Sequence, residues 1–175
     1  MARYQFILDR LDEIGYPGDG FVVDCACGLG HGTLLLKNAG LNVKGFDISP
    51  KIISKYVMPL GVDAECADIV DLPLDDDSVD IFLCSETLEH LEEDKSIKAV
   101  EEIKRVCVKN ALICITVPLY RRSLKNPSHK QYVNVETIRQ WFDKYSIIYQ
   151  GSCNTKTGKK KGNLVVVLRE CNDES

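Results

Sequence analysis

The segment FVVDCACGLGHG, residues 21–32, gives the clearest indication of how this chain folds. Its first half, FVVDCA (21–26), is apolar apart from one aspartate and predicts a short buried strand. The glycines of CGLGHG (27–32) predict a tight turn, and TLLLKNAG, which follows, predicts a helix. A strand, a glycine turn and a helix in this order are typical of α/β sheets that bind a ligand against the turn.

The rest of the chain continues this alternation of strands and helices. Further strands are predicted at 41–47, 63–68, 79–85 and 111–117, and further helices at 3–14, 94–107, 135–144 and from Ser49-Pro50 onward. The last two strands, at 146–152 and 163–169, flank a lysine-rich loop and predict a hairpin, so the final strand runs antiparallel. We therefore predict an α/β fold with a mostly parallel sheet. It forms a single domain over residues 1–175, with an amino-terminal helix in 1–15 and a core in 20–170.

Composition limits the class of protein. The chain has 175 residues, of which 45% are hydrophobic and 27% charged, as expected for one globular domain. No apolar run approaches the roughly 18 residues that span a bilayer, so no membrane contact is expected. Asp9, Asp12 and Glu13 stand where a signal peptide is uncharged, and we expect a cytoplasmic protein. No two of the eight cysteines are spaced C-x-x-C, and we expect reduced thiols packed as small hydrophobic side chains.

Acidic side chains stand at the ends of the first three predicted strands. They are Asp24, Asp47 and Asp68. The carboxyl ends of parallel strands meet at the edge where open α/β sheets bind their ligands. An acid after the second strand can accept hydrogen bonds from both ribose hydroxyls, and one after the third from an adenine amino group. Each could instead cap a turn or a helix, but the three together favour a nucleoside ligand.

Four motifs resemble those of class I S-adenosylmethionine (SAM)-dependent methyltransferases in their order and spacing: VVDCACGLGHGT, VKGFDIS, ECADIVDLPLDDDSVDIFLCSETLEHL and ALICITVP. The resemblance implies a Rossmann-like three-layer sandwich whose seven-stranded sheet has the order 3-2-1-4-5-7-6 with the last strand antiparallel. It also implies an enzyme that uses SAM. Residues that would contact SAM are Asp24, Ala26, Gly28, Gly30, Asp47, Ile48, Asp68, Ile69 and Ser85.

By this resemblance, Asp24 and the glycine turn would line the methionine end of SAM, Asp47 the ribose, and Asp68 with Ile69 the adenine. Ser85 and Glu86 would face the transferable methyl. Two positions depart from the family: Ala26 replaces the first glycine of the usual triplet, and Lys109-Asn110 replaces a glycine pair before the fifth strand. We expect the fold to tolerate both.

Charge favours SAM over a dinucleotide. A pyrophosphate would be repelled by Asp24, whereas the sulfonium and ammonium groups of SAM would be attracted to it. A nucleotide-binding oxidoreductase is therefore disfavoured. A SAM-binding accessory subunit without catalytic activity stays open as an alternative.

The residues after the fourth strand bear on the methyl acceptor. Cys84-Ser85-Glu86-Thr87 lacks the proline motifs of enzymes that methylate bases. If a helix begins here, Glu86, Glu89 and His90 share one face. With His129 from a later loop, they partly resemble the metal site of RNA 3′-terminal 2′-O-methyltransferases. The same motifs also resemble those of small-molecule and sugar methyltransferases, for which no metal is implied. We therefore predict an O-directed enzyme in which Glu86, Glu89, His90 and His129 could bind a divalent metal.

Without a metal, the same region predicts catalytic roles for Glu86, His90 and His129, because an imidazole can act as a general base near neutral pH. The alternative is that Glu89 and His90 serve a helix start and His129 orders a loop.

Two basic islands interrupt a chain whose net charge is −4. One contains Arg121, Arg122, Lys125 and Lys130, and the other contains Lys156, Lys159, Lys160 and Lys161. In the predicted fold both loops emerge at the carboxyl edge of the sheet. They could be solvated loops, or they could flank the acceptor entrance. The second interpretation favours an acidic acceptor, either a small molecule or a nucleic-acid end.

Overall fold

The computed structural model describes residues 2–13, 18–119, 126–154 and 162–171. One sheet contains seven strands: β1 (Phe21–Cys25), β2 (Asn42–Asp47), β3 (Asp63–Cys66), β4 (Val79–Ser85), β5 (Cys107–Pro118), β6 (Tyr145–Asn154) and β7 (Gly162–Glu170). Their order is β3-β2-β1-β4-β5-β7-β6. Strands β1 to β5 are parallel, and β7 is antiparallel to both β5 and β6. The predicted α/β fold, strand order and antiparallel final strand are confirmed.

Helices connect the strands. They are α1 (Ala2–Glu13), α2 (His31–Asn38), α3 (Pro50–Ile52), α4 (Glu93–Val106) and α5 (Val135–Trp141). Ser49 caps α3 by accepting the Ile52 N–H, as its position before a proline predicts. The chain continues from α3 through a π-helical turn, Ile53–Val57, and a 3-10 turn, Met58–Leu60. None of the described helices is long and apolar enough to cross a bilayer.

Both faces of the sheet are apolar, because side chains alternate along each strand and helices cover both sides. Helices α1 and α2 pack on the face that includes Val22, Ile81 and Leu83. Helices α4 and α5 pack on the face that includes Val23 and Phe82. The molecule therefore has the predicted three layers, and the carboxyl ends of β1, β2, β3, β4 and β5 come together at one edge.

The junction of α4 and β5 lies earlier than predicted. Helix α4 ends at Val106, and β5 begins at Cys107 instead of residue 111. Asn110 adopts a left-handed backbone with φ 68°, and the register with β4 shifts across this segment. Asparagine tolerates this conformation better than most residues. The apolar pattern missed the first part of β5 because Lys109 and Asn110 are exposed.

The seven cysteines whose side chains are described are all free thiols. Five are buried, as predicted: Cys25, Cys27, Cys84, Cys107 and Cys114. The expectation of burial was wrong for Cys66 and Cys171, which are exposed. Cys66 ends β3, which among the described strands is an edge strand beside β2, so little of the Cys66 side chain is covered.

Candidate active site

The glycine turn joins β1 to α2 at the carboxyl edge of the sheet. Ala26, Gly28 and Gly30 have φ values of 58°, 55° and 74°. A Cβ atom at Gly30 would lie 2.9 Å from the Val57 side chain, so the turn packs closely on the helical turn beside it. Ala26 takes the left-handed conformation at a cost of about 1 kcal/mol. The replacement of the usual glycine is thus accommodated with strain.

Asp24 is fully buried beneath this turn. Its two carboxylate oxygens accept hydrogen bonds from the Tyr4 hydroxyl at 2.9 Å and the Thr33 hydroxyl at 2.6 Å. Burial raises the pKa of Asp24 from 3.8 to about 6, and the bonds from Thr33 and Tyr4 only partly oppose this. Neither partner was predicted from the sequence. The Tyr4 ring lies where a Cβ atom of Gly32 would be, so α1 docks tightly onto the start of α2.

The raised pKa of Asp24 predicts a specific dependence of stability on pH. The folded state binds the proton of Asp24 more tightly than the unfolded state does. The stabilising contribution of Asp24 to the free energy of unfolding is therefore complete below pH 3.8 and is lost as the pH rises through about 6. The loss corresponds to about 3 kcal/mol. Denaturant unfolding between pH 4 and pH 8 should therefore show a flatter pH profile for Asp24→Asn than for the wild type.

The control for this experiment is Asp12→Asn, an exposed aspartate on α1. Its profile should run parallel to that of the wild type. Equal slopes for wild type and Asp24→Asn would contradict the prediction.

Asp47 links the end of β2 to the glycine turn. One carboxylate oxygen accepts the Gly28 N–H and the other accepts the Ser49 N–H, each at 3.0 Å. Asp47 therefore stabilises both the glycine turn and the start of α3. Each carboxylate oxygen has two lone pairs, so Asp47 can accept further hydrogen bonds.

A cleft of about 80 Å³, here called the edge cleft, opens beside Asp47. Its lining residues are Cys25, Ala26, Asp47, Ile48, Ala67, Asp68, Ile69, Thr87, Leu91 and Lys95. Five of the predicted cofactor residues meet here: Ala26, Asp47, Ile48, Asp68 and Ile69. The other four, Asp24, Gly28, Gly30 and Ser85, are not among its lining residues.

Two predicted residues at the end of β4 have other partners. The Ser85 hydroxyl is buried and lies 2.8 Å from the Thr116 hydroxyl. Glu86 has φ 57°, and its carboxylate lies 3.8 Å from the Arg3 guanidinium. The next helical turn, Leu88–His90, begins beyond Glu86. The left-handed backbone therefore separates Glu86 from the helical face on which the sequence pattern had placed it with Glu89 and His90.

Glu89, His90 and His129, here called the Glu-His cluster, come together beside this turn. One potential ligand atom from each lies within 4.8 Å of the others, and the two imidazole centroids are 4.7 Å apart. Glu89 is 1% exposed, and neither carboxylate oxygen has a hydrogen-bond partner among the described residues. Burial raises the pKa of Glu89 from 4.5 to about 7, the backbone N–H of Glu89 itself partly opposes this rise, and the charge of Glu86 adds to it.

Polar neighbours orient the two imidazoles. His90 Nδ1 lies 3.2 Å from the Ser128 carbonyl oxygen, which favours a proton on Nδ1 and leaves Nε2 available. His129 Nε2 lies 2.9 Å from the Asn126 side-chain nitrogen. The Asn126 oxygen accepts from the Ser128 N–H and hydroxyl, which fixes the orientation of the amide.

Backbone contacts hold the segment that carries His129 against the end of β4. The Lys130 N–H donates to the Glu89 carbonyl at 2.8 Å. The Gln131 side-chain nitrogen lies within 3.1 Å of the Leu88 and Leu91 carbonyls and 2.5 Å from the Ser96 hydroxyl. Gln131 was not predicted, because nothing in a lone polar loop residue indicates such an anchor.

Most of the two basic islands falls outside the described residues: Arg121, Arg122, Lys125, Lys156, Lys159, Lys160 and Lys161. Lys130 is described and exposed, and its ammonium lies 3.5 Å from the Glu92 carboxylate.

Residues 23–115, more than half of the chain, match the family model described as "Methyltransferase domain". The chain belongs to this family. This methyltransferase-domain protein is 35% identical over 106 residues to an uncharacterized protein of Methanocaldococcus jannaschii. That match covers 61% of the chain and 44% of the relative, so the chain spans less than half the length of this curated relative.

Solved structures share the fold of this methyltransferase-domain protein. A SAM-dependent methyltransferase from Archaeoglobus fulgidus superposes with a TM-score of 0.72 at 17% identity, covering 95% of this chain and 94% of that one. Magnesium protoporphyrin IX methyltransferase from Synechocystis PCC 6803, with bound SAH, superposes with a TM-score of 0.77 at 18% identity. This match covers 95% of this chain and 82% of that one. At these identities the likeness concerns the fold alone.

The edge cleft brings together the kinds of group that the sequence predicts around a nucleoside. Asp47 and Asp68 offer carboxylates to hydroxyl and amino donors, and Ile48 and Ile69 supply apolar surface for a base. Both features are those that the sequence predicts for the ribose and adenine sites.

Proposed function

We propose that this protein transfers a methyl group from SAM to an oxygen atom of its acceptor, and that the Glu-His cluster forms the acceptor site. One observation carries this proposal. Thr87 and Leu91 line the edge cleft, and Glu89 and His90 lie between them in the chain. The proposed cofactor and acceptor sites are therefore adjacent at the same edge of the sheet.

The side chains have distinct tasks in this proposal. Bound SAM supplies an activated methyl group. His90 and His129 orient the acceptor hydroxyl, and one imidazole or the Glu89 carboxylate accepts its proton. Glu86, paired with Arg3, borders the site at the end of β4. Ser85 and the glycine turn complete the surface near the methyl, and Asp24 supports the turn from below.

A divalent cation is a second candidate at this site. The Glu89 carboxylate and an imidazole nitrogen from each histidine form a suitable donor set, in which His129 would exchange its hydrogen bond with Asn126 for the ion. The Ser128 carbonyl beside His90 Nδ1 is the kind of contact that orients metal-binding histidines. Glu89, His90 and His129 would hold the ion, and Glu86 would lie outside this set. The ion would polarise the acceptor hydroxyl.

The charge of the acceptor is proposed from the basic islands. Their sequence positions favour an acidic small molecule or a nucleic-acid end over a neutral acceptor. We further propose a cytoplasmic location, because the free thiols of the described cysteines suit a reducing compartment.

Labelled SAM incubated with fractionated RNA, DNA, protein and small molecules tests the proposal. We expect label in an acidic fraction, with a rate that falls as salt increases and after the combined substitution of Lys159, Lys160 and Lys161 by alanine. Binding of SAM without transfer to any fraction would support the accessory-subunit alternative. Transfer that responds neither to salt nor to the lysine substitutions would rule out the acidic acceptor.

A further inference from the structure

Lys95 forms part of the wall of the edge cleft, although no sequence motif indicates it. It lies in the first turn of α4, and its ammonium is 2.7 Å from Asp68 Oδ2. Both side chains line the cleft together with Asp47, Ile48 and Ile69. They are 36% and 30% exposed, so the ion pair is partly shielded from water.

The two oxygens of Asp68 differ in their surroundings. The Lys95 ammonium contacts Oδ2, whereas Oδ1 accepts the Val70 N–H at 3.4 Å. A donor at this distance makes a weak hydrogen bond. Oδ1 therefore keeps acceptor capacity for a donor inside the cleft, and the ion pair holds the carboxylate in the orientation that presents it.

We propose that Lys95 is a positioning residue of the cofactor site, which acts through Asp68 to present a carboxylate oxygen to the amino group of an adenine ring. The inference rests on the proposed function, since it requires the edge cleft to bind the adenosine part of SAM. Lys95 links α4 directly to the cofactor site, and α4 follows the segment that carries Glu89 and His90.

Calorimetry with three ligands tests this role: SAM, SAH and 5′-methylthioadenosine. All three contain adenine, but only SAM carries the sulfonium charge. Lys95→Met should raise the dissociation constant about three- to fivefold for each ligand, the range expected for a partly exposed ion pair. Lys95→Arg should restore most of the affinity. Lys98→Met, an exposed lysine on the same helix, should bind like the wild type.

A double-mutant cycle isolates the path through Asp68. In an Asp68→Asn background, Lys95→Met should cause no further loss of affinity. The same loss in both backgrounds would overturn the proposal, as would a change confined to SAM, which would indicate a long-range charge effect.

Failure of the inference can be distinguished from failure of the proposed function. If the wild-type chain binds neither SAM nor SAH, the proposed function is contradicted. If the wild-type chain binds both ligands and the Lys95→Met variant binds them with the same affinity, only the proposed role of Lys95 is contradicted. Thermal melts of each variant should match the wild type, and Lys95→Gln provides a second variant if Lys95→Met does not fold.

Discussion

Glu89→Gln should lower the rate of methyl transfer by about 100-fold or more, because the variant removes the buried carboxylate from the Glu-His cluster. Glutamine has nearly the same shape but can neither accept the acceptor's proton nor carry the charge that holds a cation. The change should not harm the fold. A buried carboxylate without a partner opposes folding when ionised, so the melting temperature of the variant should equal or exceed that of the wild type at neutral pH. Rate and melting temperature would therefore change in opposite directions.

The matched control is Glu92→Gln, an exposed glutamate in the same segment that pairs with Lys130 on the surface. It should retain wild-type activity. EDTA then distinguishes a site that needs a divalent cation from one that works without it. It abolishes activity if a cation is required and leaves activity unchanged if the side chains act alone. A Glu89→Gln variant with wild-type rates would contradict the assignment of the Glu-His cluster to the acceptor site.

Asp47→Ala should weaken SAM binding by about 1.5–3 kcal/mol, because a ribose hydroxyl loses a charged hydrogen-bond partner. The substitution also leaves the Gly28 and Ser49 N–H groups without their acceptor. The glycine turn should then lose some order, and the effect should lie toward the upper end of that range. Calorimetric titration with SAM measures it, and a thermal melt checks that the fold is retained.

Asp63→Ala is the matched control for Asp47→Ala. Asp63 is an exposed aspartate at the amino end of β3, whereas the edge cleft lies at the carboxyl ends of the strands. Its substitution should leave SAM affinity unchanged. Equal affinity of wild type and Asp47→Ala would mean that the edge cleft is not the ribose site.

The local pattern of residues predicted where the acids of the edge cleft would meet. Asp47 and Asp68 follow strands whose apolar residues and flanking turns are evident in the sequence, and parallel strands bring their carboxyl ends to one edge. His90 and His129 were predicted to converge for the same reason, because they follow β4 and β5, which are neighbours. The pattern assumed a helix that begins at Glu86, whereas the helical turn begins at Leu88, because a left-handed residue cannot be recognised from spacing alone.

Residue patterns predicted the α/β fold and the edge that carries the candidate site, and the resemblance to class I methyltransferases implied the order of the strands. Apolar periodicity and turn residues act over a few positions, and short connections with right-handed crossovers leave few ways to assemble the resulting elements. Which acidic side chains are buried, and which residues they pair with, became clear only from the tertiary structure. Tyr4 reaches Asp24 across 20 positions, and Lys95 reaches Asp68 across 27. The Glu89 carboxylate oxygens are buried and accept no hydrogen bond from another described side chain. Burial and pairing arise from side chains that are distant in the chain, and no local pattern encodes which of them will meet.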